Sequence, residues 1–269
     1  MLIHVKADDP RLDVYRMLRD KDVSRHEGAF IAEGRIVLEA LLEGGRHPLR
    51  SVLVSSKRVE PDGDLLARVP EAIPVMVLDH ARMSELVGFN IHRGLLAAGS
   101  RAAPTSAHEV LAALPDGRAT ALVLEGLTDT DNVGACFRNA AAFGASPVLL
   151  DAPCCDPLYR KAIRVSAGHA LRLPFAHGEP IEAIYAALRA HGFAIAALCL
   201  SDQASPLTMR TRLDLGADRR LALVVGAEGP GLSRAAIEGA DHHLMIPMAP
   251  GTDSLNVAVA SAVALFALR

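Results

Sequence analysis

Three polar clusters in this 269-residue chain each follow an aliphatic run, and each holds side chains able to orient or polarise a bound group. The first, Leu122 to Ser146 (LVLEGLTDTDNVGACFRNAAAFGAS), sets Asn132 at a helix start and Arg138 within the helix. On a helical wheel Arg138 shares its face with Gly134, Ala135, Ala141 and Ala142, which leaves open space beside a guanidinium. An arginine there reads equally as a solvated side chain or a functional one, and Asn132 alone reads as an N-cap. The second cluster, Leu221 to Ser233 (LALVVGAEGPGLS), runs from a strand into a turn carrying Gly226, Gly229 and Gly231, which permit positive φ and close backbone approach. No Lys-Ser/Thr follows and the spacing is not GxGxxG. Glu228 would repel a phosphate, so a neutral or cationic ligand such as a sulfonium suits this loop better. The third, Met245 to Arg269 (MIPMAPGTDSLNVAVASAVALFALR), passes through Pro247 and Gly251 to Ser254, read as an N-cap. Asn256 then stands in the first turn of a strongly apolar helix, where helix propensity gains nothing from it.

These side chains need elements to present them. Residues 9–19 read as a helix, followed by Ala29–Ala32 (strand), Arg35–Glu43 (helix), Ser51–Ser55 (strand) and Asp64–Val69 (helix). Val75–Leu78 (strand), His80–Val87 (helix) and Gly94–Ala98 (strand) complete a module of about 100 residues. Arg101 to Arg118, with prolines at both ends of a short helical pattern, reads as a linker. From Thr120 strands and helices alternate again: strands at 121–127, 146–151, 194–200, 221–225 and 244–247, and helices at 132–143, 157–171, 181–190 and 255–268. Aliphatic strands alternating with helices imply an α/β sandwich on a parallel sheet, with ligands bound beyond the strands' carboxyl ends. All three clusters lie there. The expected organisation is residues 1–104, a linker over 105–118, and a second domain over 119–269.

Apolar residues make up 51% of the chain and the net charge is −3, with no Trp. A neutral balance argues mildly against a nucleic-acid binder, yet a local arginine patch on such a chain still neutralises phosphates. Cys136, Cys154, Cys155 and Cys199 show no CxxC spacing, so they read as free thiols, and no metal site is expected. The charged start lacks the apolar core of a signal peptide, and Leu255–Leu268 is too short and too polar-punctuated to span a bilayer. A cytoplasmic protein is expected.

Taken in order, the three clusters closely resemble the signature motifs of the SpoU/TrmH family of the SPOUT superfamily. They read Asn132-Val133-Gly134…Arg138-Asn139-Ala140, then Gly226-Ala227-Glu228-Gly229-Pro230-Gly231, then Ile246-Pro247-Met248…Ser254-Leu255-Asn256-Val257. RKAIRVSAGHALRLPF is similar to the family's stretch between the first two motifs. Residues 1–104 resemble, more loosely, the ribosomal-protein-like RNA-binding domain of many members. The resemblance departs at Thr130-Asp131, where Asp-Pro is usual, and at Cys136-Phe137, where aliphatics are common.

The resemblance implies an α/β fold: a C-terminal parallel-sheet domain tied in a trefoil knot, and a small N-terminal α/β substrate-binding domain. It implies a homodimer joined through the C-terminal domain and an S-adenosylmethionine-dependent transfer of methyl to a ribose 2′-hydroxyl in structured RNA. The N-terminal module favours 23S-type ribosomal RNA over transfer RNA. The adenosine would be held at Leu200, Gly226, Gly229, Ile246 and Leu255, with Met248 lining the pocket. Ser254 and Asn256 would sit near the reacting centre, and Arg138, oriented by Asn132 and Glu228, would face the ribose and its phosphate. Deprotonating a free guanidinium at neutral pH costs roughly 8 kcal/mol, so Arg138 is expected to orient and stabilise charge rather than act as a base. Arg25, Arg35 and Arg93 are expected to grip RNA. Two rivals stand beside this reading: an RNA-binding protein of the same descent without catalysis, and a Rossmann oxidoreductase. The oxidoreductase would need GxGxxG and a ribose-binding acid, which Leu122–Asp151 lacks.

Overall fold

Buried β-branched and aliphatic runs form the strands of this chain, whose computed structural model describes residues 2–16, 28–201, 204–216, 219–251 and 254–269. The chain divides into two units, Met1–Ala103 with Pro157–Arg172, and Pro104–Asp156 with Leu173–Arg269. In the first, strands β1 (Leu2–His4), β2 (Ala29–Glu33), β3 (Leu49–Ser55), β4 (Val75–Leu78) and β5 (Leu95–Ser100) form a mixed sheet. Their order is β1-β4-β3-β5-β2, parallel through β1, β4 and β3 and antiparallel through β5 and β2. Helices α1 (Arg35–Gly44) and α2 (His80–Val87) lie in its connections, each closed by a left-handed glycine, Gly45 and Gly88. Tyr15 is fully buried, and its hydroxyl accepts from Ala98 N and donates to Ser51 O, joining the lead-in to the sheet. The helix expected over residues 9–19 is a 3-10 turn, Pro10–Tyr15. Asp9 caps it, and Arg16 is already extended; residues 17–19 and Arg25 lie outside the described residues.

The second unit is α3 (Ala107–Ala112), β6 (Thr120–Glu125), α4 (Thr130–Phe143), β7 (Val148–Asp151), β8 (Phe175–Glu179), α5 (Ile181–Ala190), β9 (Phe193–Leu198), β10 (Ser205–Pro206), β11 (Arg220–Gly226), α6 (Arg234–Glu238), β12 (His242–Met245) and α7 (Val257–Ala267). Among the described residues the strands pair in parallel throughout, in the order β10-β12-β9-β11-β6-β7-β8. The central β6 and β11 are buried along nearly their whole length, as strands covered on both faces must be. On one face Val123, Ala222 and Val224 meet Ile184, Tyr185 and Leu188 of α5; on the other, α4 and α7 pack side by side. The last strand ends two residues before its expected limit because Pro247 has no N–H for the ladder. The helix expected over 157–171 is two short ones, Arg160–Val165 and His169–Arg172, interrupted at Ala167 and Gly168, which both take positive φ. Among the described residues no helix is long and apolar enough to cross a membrane.

Candidate active site

The first cluster begins with a correction. Asn132 does not cap α4; Asp129 does, its carboxylate accepting from Asp131 N at 2.6 Å and Asn132 N at 3.4 Å. An acid at the N-cap satisfies two orphan amides and meets the positive helix end. That releases the Asn132 carboxamide, whose Nδ2 donates to Glu228 Oε1 at 3.1 Å. The third cluster is corrected likewise, since Asn256 rather than Ser254 caps α7. Its Oδ1 accepts from Ala258 N at 2.9 Å and Val259 N at 3.3 Å, while its Nδ2 donates to Asn132 Oδ1 at 3.0 Å and to Glu228 Oε1. One asparagine therefore both starts a helix and ties the three clusters together. This explains a residue that helix propensity left unexplained.

The glycine loop is shaped by its own backbone. Gly231 N donates to Ala227 O at 3.0 Å, and a methyl on Gly226 would meet Leu232 N at 2.5 Å. Only glycine fits there. Beneath it the buried Glu125 carboxylate accepts from Ser233 N at 2.8 Å and Ser233 Oγ at 2.6 Å, and Ser233 Oγ in turn caps α6 by accepting from Ala236 N. Asp151 accepts from Gly126 N and Cys154 N, fixing the turn after β6. Neither carboxylate stands out in the sequence, though Glu125 ends the strand whose tip carries the first motif and Asp151 ends its neighbour β7.

These loops enclose a cleft of about 630 Å³. Leu198, Cys199 and Leu200 line it after β9, Val225–Leu232 after β11, Ile246 and Met248 after β12, and Ser254–Val257 ahead of α7. The expected binding residues Leu200, Gly226, Gly229, Ile246, Met248, Leu255 and Asn256 all line this one cleft, with Ser254 and Glu228. Glu228 is the charged group among the described lining residues, and burial raises the Cys199 thiol above its ordinary range. Arg138 stands apart. It is exposed on α4, six residues and so some 120° round the helix from Asn132, and among the described residues it makes no hydrogen bond or ion pair. Asn132 and Glu228, expected to orient it, bond to each other and to Asn256 instead. Of the arginines expected to grip RNA, Arg35 is held by Glu39, Asp62 and Asp64, whereas Arg93 lies exposed against Gly34. Cys136, Cys154, Cys155 and Cys199 are free thiols.

Comparison with known proteins bears on this geometry. The SpoU rRNA Methylase family matches residues 119–266, which hold the motif residues of all three clusters. A Mycobacterium tuberculosis protein named an uncharacterized tRNA/rRNA methyltransferase is 38% identical over 96% of this chain and 88% of its own length. The 23S rRNA (guanosine-2′-O-)-methyltransferase RlmB of a Burkholderia species is 32% identical over 71% of this chain and 75% of its own. In fold the chain resembles an AdoMet-bound rRNA methyltransferase from Sinorhizobium meliloti, with a TM-score of 0.81 and 23% identity over 100% of this chain and 97% of that one.

Proposed function

We propose, from the premise that this chain belongs to the SpoU rRNA methylase family, that it methylates the ribose 2′-hydroxyl of one nucleotide in structured RNA, with S-adenosylmethionine as donor. The observation that carries this reading is the hydrogen-bonded triangle of Asn132, Glu228 and Asn256 at one cleft. It unites all three sequence clusters around a single carboxylate. The cleft has the chemistry such a donor requires: aliphatic walls at Leu198, Val225, Ile246 and Met248, a glycine turn that admits close backbone approach, and one negative charge. Its volume lies within the ~300–1,000 Å³ usual for small-molecule sites.

When bound, S-adenosylmethionine supplies an electrophilic methyl on a positively charged sulfur. The chain's own residues do the rest. Backbone groups at Leu200, Gly226, Gly229, Ile246 and Leu255 hold the adenosine, and Met248 packs beside it. Ser254 and Asn256 border the reacting centre, and Glu228 complements the sulfonium charge. Arg138, solvent-facing and without a partner among the described residues, orients the incoming ribose and phosphate and stabilises the alkoxide as its charge develops. A guanidinium offers two parallel donors for that purpose.

Ribosomal RNA of the 23S type is the favoured substrate, supported by the RlmB relative, and the reaction is assigned to the cytoplasm. The residues of the N-terminal unit, Arg93 among them, are assigned to RNA binding. In the second unit β12 lies between β10 and β9, which the chain had already joined. A strand set between two that follow one another directly in the chain supports, together with the family membership, a trefoil knot, a rare exception to unthreaded topology. Val259, Val263 and Phe266 form an exposed apolar stripe on α7, continued by Leu255, and support a homodimer through this unit.

The test is to incubate the purified protein with methyl-labelled S-adenosylmethionine and unmodified ribosomal or transfer RNA, then hydrolyse with alkali. A 2′-O-methyl blocks the neighbouring phosphodiester from cleavage, so label in alkali-resistant dinucleotides of 23S-type RNA is expected. Label in transfer RNA would move the substrate. Label on bases, or no donor binding, would overturn the proposed reaction.

A further inference from the structure

The triangle at the cleft depends on how α7 is seated against α4, and a side chain inside the first motif, between Arg138 and Ala140, bonds directly to α7. Asn139 lies seven residues after Asn132, about 20° from the same helix face and about 10 Å further along it. Its Nδ2 donates to Ala258 O at 2.6 Å and to Ser261 Oγ at 3.0 Å. Ala258 is the residue whose own N–H is capped by Asn256. Thus α4 grips the first turn of α7 with two carboxamides on one face: Asn132 holds the cap from the end, and Asn139 holds the next carbonyl from the side. Besides these bonds the helices meet at Cys136 with Ser261 and, further along α7, at Phe143 edge-on to Phe266, contacts less directional about sliding and rotation of the first turn. Two directional bonds at fixed points constrain both.

We propose that Asn139 is a positioning residue for the methyl-donor site, acting through Asn256 by fixing the rotation and axial register of α7 on α4. This rests on the function proposed above. Its role is separable from folding. Ser261 is fully buried, yet its Oγ also donates to Ala258 O at 2.9 Å and meets Cys136 Sγ at 3.6 Å. Removing Asn139 therefore strands no buried polar atom. What is lost is the lateral hold on the turn that presents the Asn256 carboxamide to Glu228 and Asn132.

The experiment is calorimetric titration of S-adenosylmethionine into Asn139→Ala, Asn139→Asp, Asn256→Ala and the Asn139→Ala/Asn256→Ala double variant, with thermal melts of each. Asn139→Asp keeps the shape and removes the donors. Two lost hydrogen bonds predict about a tenfold weaker donor affinity in each Asn139 single variant. In the Asn256→Ala background the Asn139→Ala change is expected to cost less than about twofold, since the residue it acts through has gone. Unchanged affinity in either Asn139 variant, or losses that simply multiply in the double variant, would overturn the proposal. Should Asn139→Ala fail to fold, Ser261→Ala withdraws one of the two acceptors and is expected to weaken binding about threefold; no weakening there would also overturn it. Wild-type protein that binds no S-adenosylmethionine sinks the proposed function instead, so the two failures are distinguishable.

Discussion

At the scale of single residues, the proposed function would divide two jobs between two charged side chains. Glu228 has both carboxamides donating to one oxygen, so its charge is held in place at the cleft. Opposite charges near contact in water-like surroundings attract by about 1 kcal/mol, and Glu228 is exposed, so Glu228→Gln should weaken S-adenosylmethionine binding about fivefold. The product S-adenosylhomocysteine, a thioether without the sulfonium charge, should bind the variant almost as well as wild type. Equal losses for both ligands in a calorimetric comparison would show that the carboxylate is merely structural. Arg138 has no such bond to any described residue, which suits a group whose partner arrives with the RNA. Arg138→Lys keeps the charge but loses the planar fork, and a fall in single-turnover rate of about a hundredfold is expected with donor affinity unchanged. Near-normal turnover by the lysine variant would make a bidentate role untenable.

At the scale of elements, the glycine loop and the strand tips set what substitutions the fold accepts. Gly226→Ala places a methyl 2.5 Å from Leu232 N and 2.6 Å from Gly231 O, against backbone that cannot step aside. Donor binding is expected to fall below detection while the far-UV circular dichroism of the second unit's strands and helices persists; retained binding would mean the loop is slack. In the first unit, His47 is held neutral: burial, then the Arg46 charge, lowers its pKa to about 4. Its Nδ1 accepts from Ala102 N, and its ring meets Phe30 edge-on. A histidine with a lowered folded pKa adds stability above its unfolded value of 6.5, and that stability drains as pH falls from 6.5 towards 4. At about 1.4 kcal/mol per pH unit the effect is capped near 3 kcal/mol. Urea melts of wild type against His47→Gln should show the variant's stability changing less over that range; parallel curves would refute the assignment. Such elements were legible in unequal measure. The aliphatic runs of β6 and β11 and the glycine-closed helices α1 and α4 follow from periodicity and end signals. The caps do not, because Asp129, Asn132, Ser254 and Asn256 are all competent N-caps, and only tertiary partners decide which carboxamides are left to bond elsewhere. Likewise β8 (FAHGE) has no clear alternation and a glycine at positive φ, so only its pairing with β7 makes it a strand.

At the scale of the whole molecule, one protomer leaves two features exposed that a second copy would use. On α7 the inward residues Val257, Ser261, Ala264 and Leu265 are buried, while Val259, Val263 and Phe266 are 41–49% exposed at helical spacing. Three large apolar side chains in line on a helix that is apolar all round mark a face made for burial, and a twofold pairing would lay it on itself. The second feature is Arg138, about 120° round α4 from its own Asn132 and without a partner among the described residues. The family motifs would then meet at one sugar only when the copy opposite supplies the guanidinium. Sedimentation should find a dimer, and Val263→Asp/Phe266→Asp, which places charges where no partner group compensates them, should give a folded monomer with activity lost. The decisive measurement mixes two inactive proteins. If each working site takes Arg138 from one protomer and Asn256 from the other, exchanging Arg138→Ala with Asn256→Ala subunits leaves half the mixed dimers' sites with both residues intact, and activity should return. If both residues serve their own protomer, every site in the mixture lacks one of them, and no activity returns at any ratio.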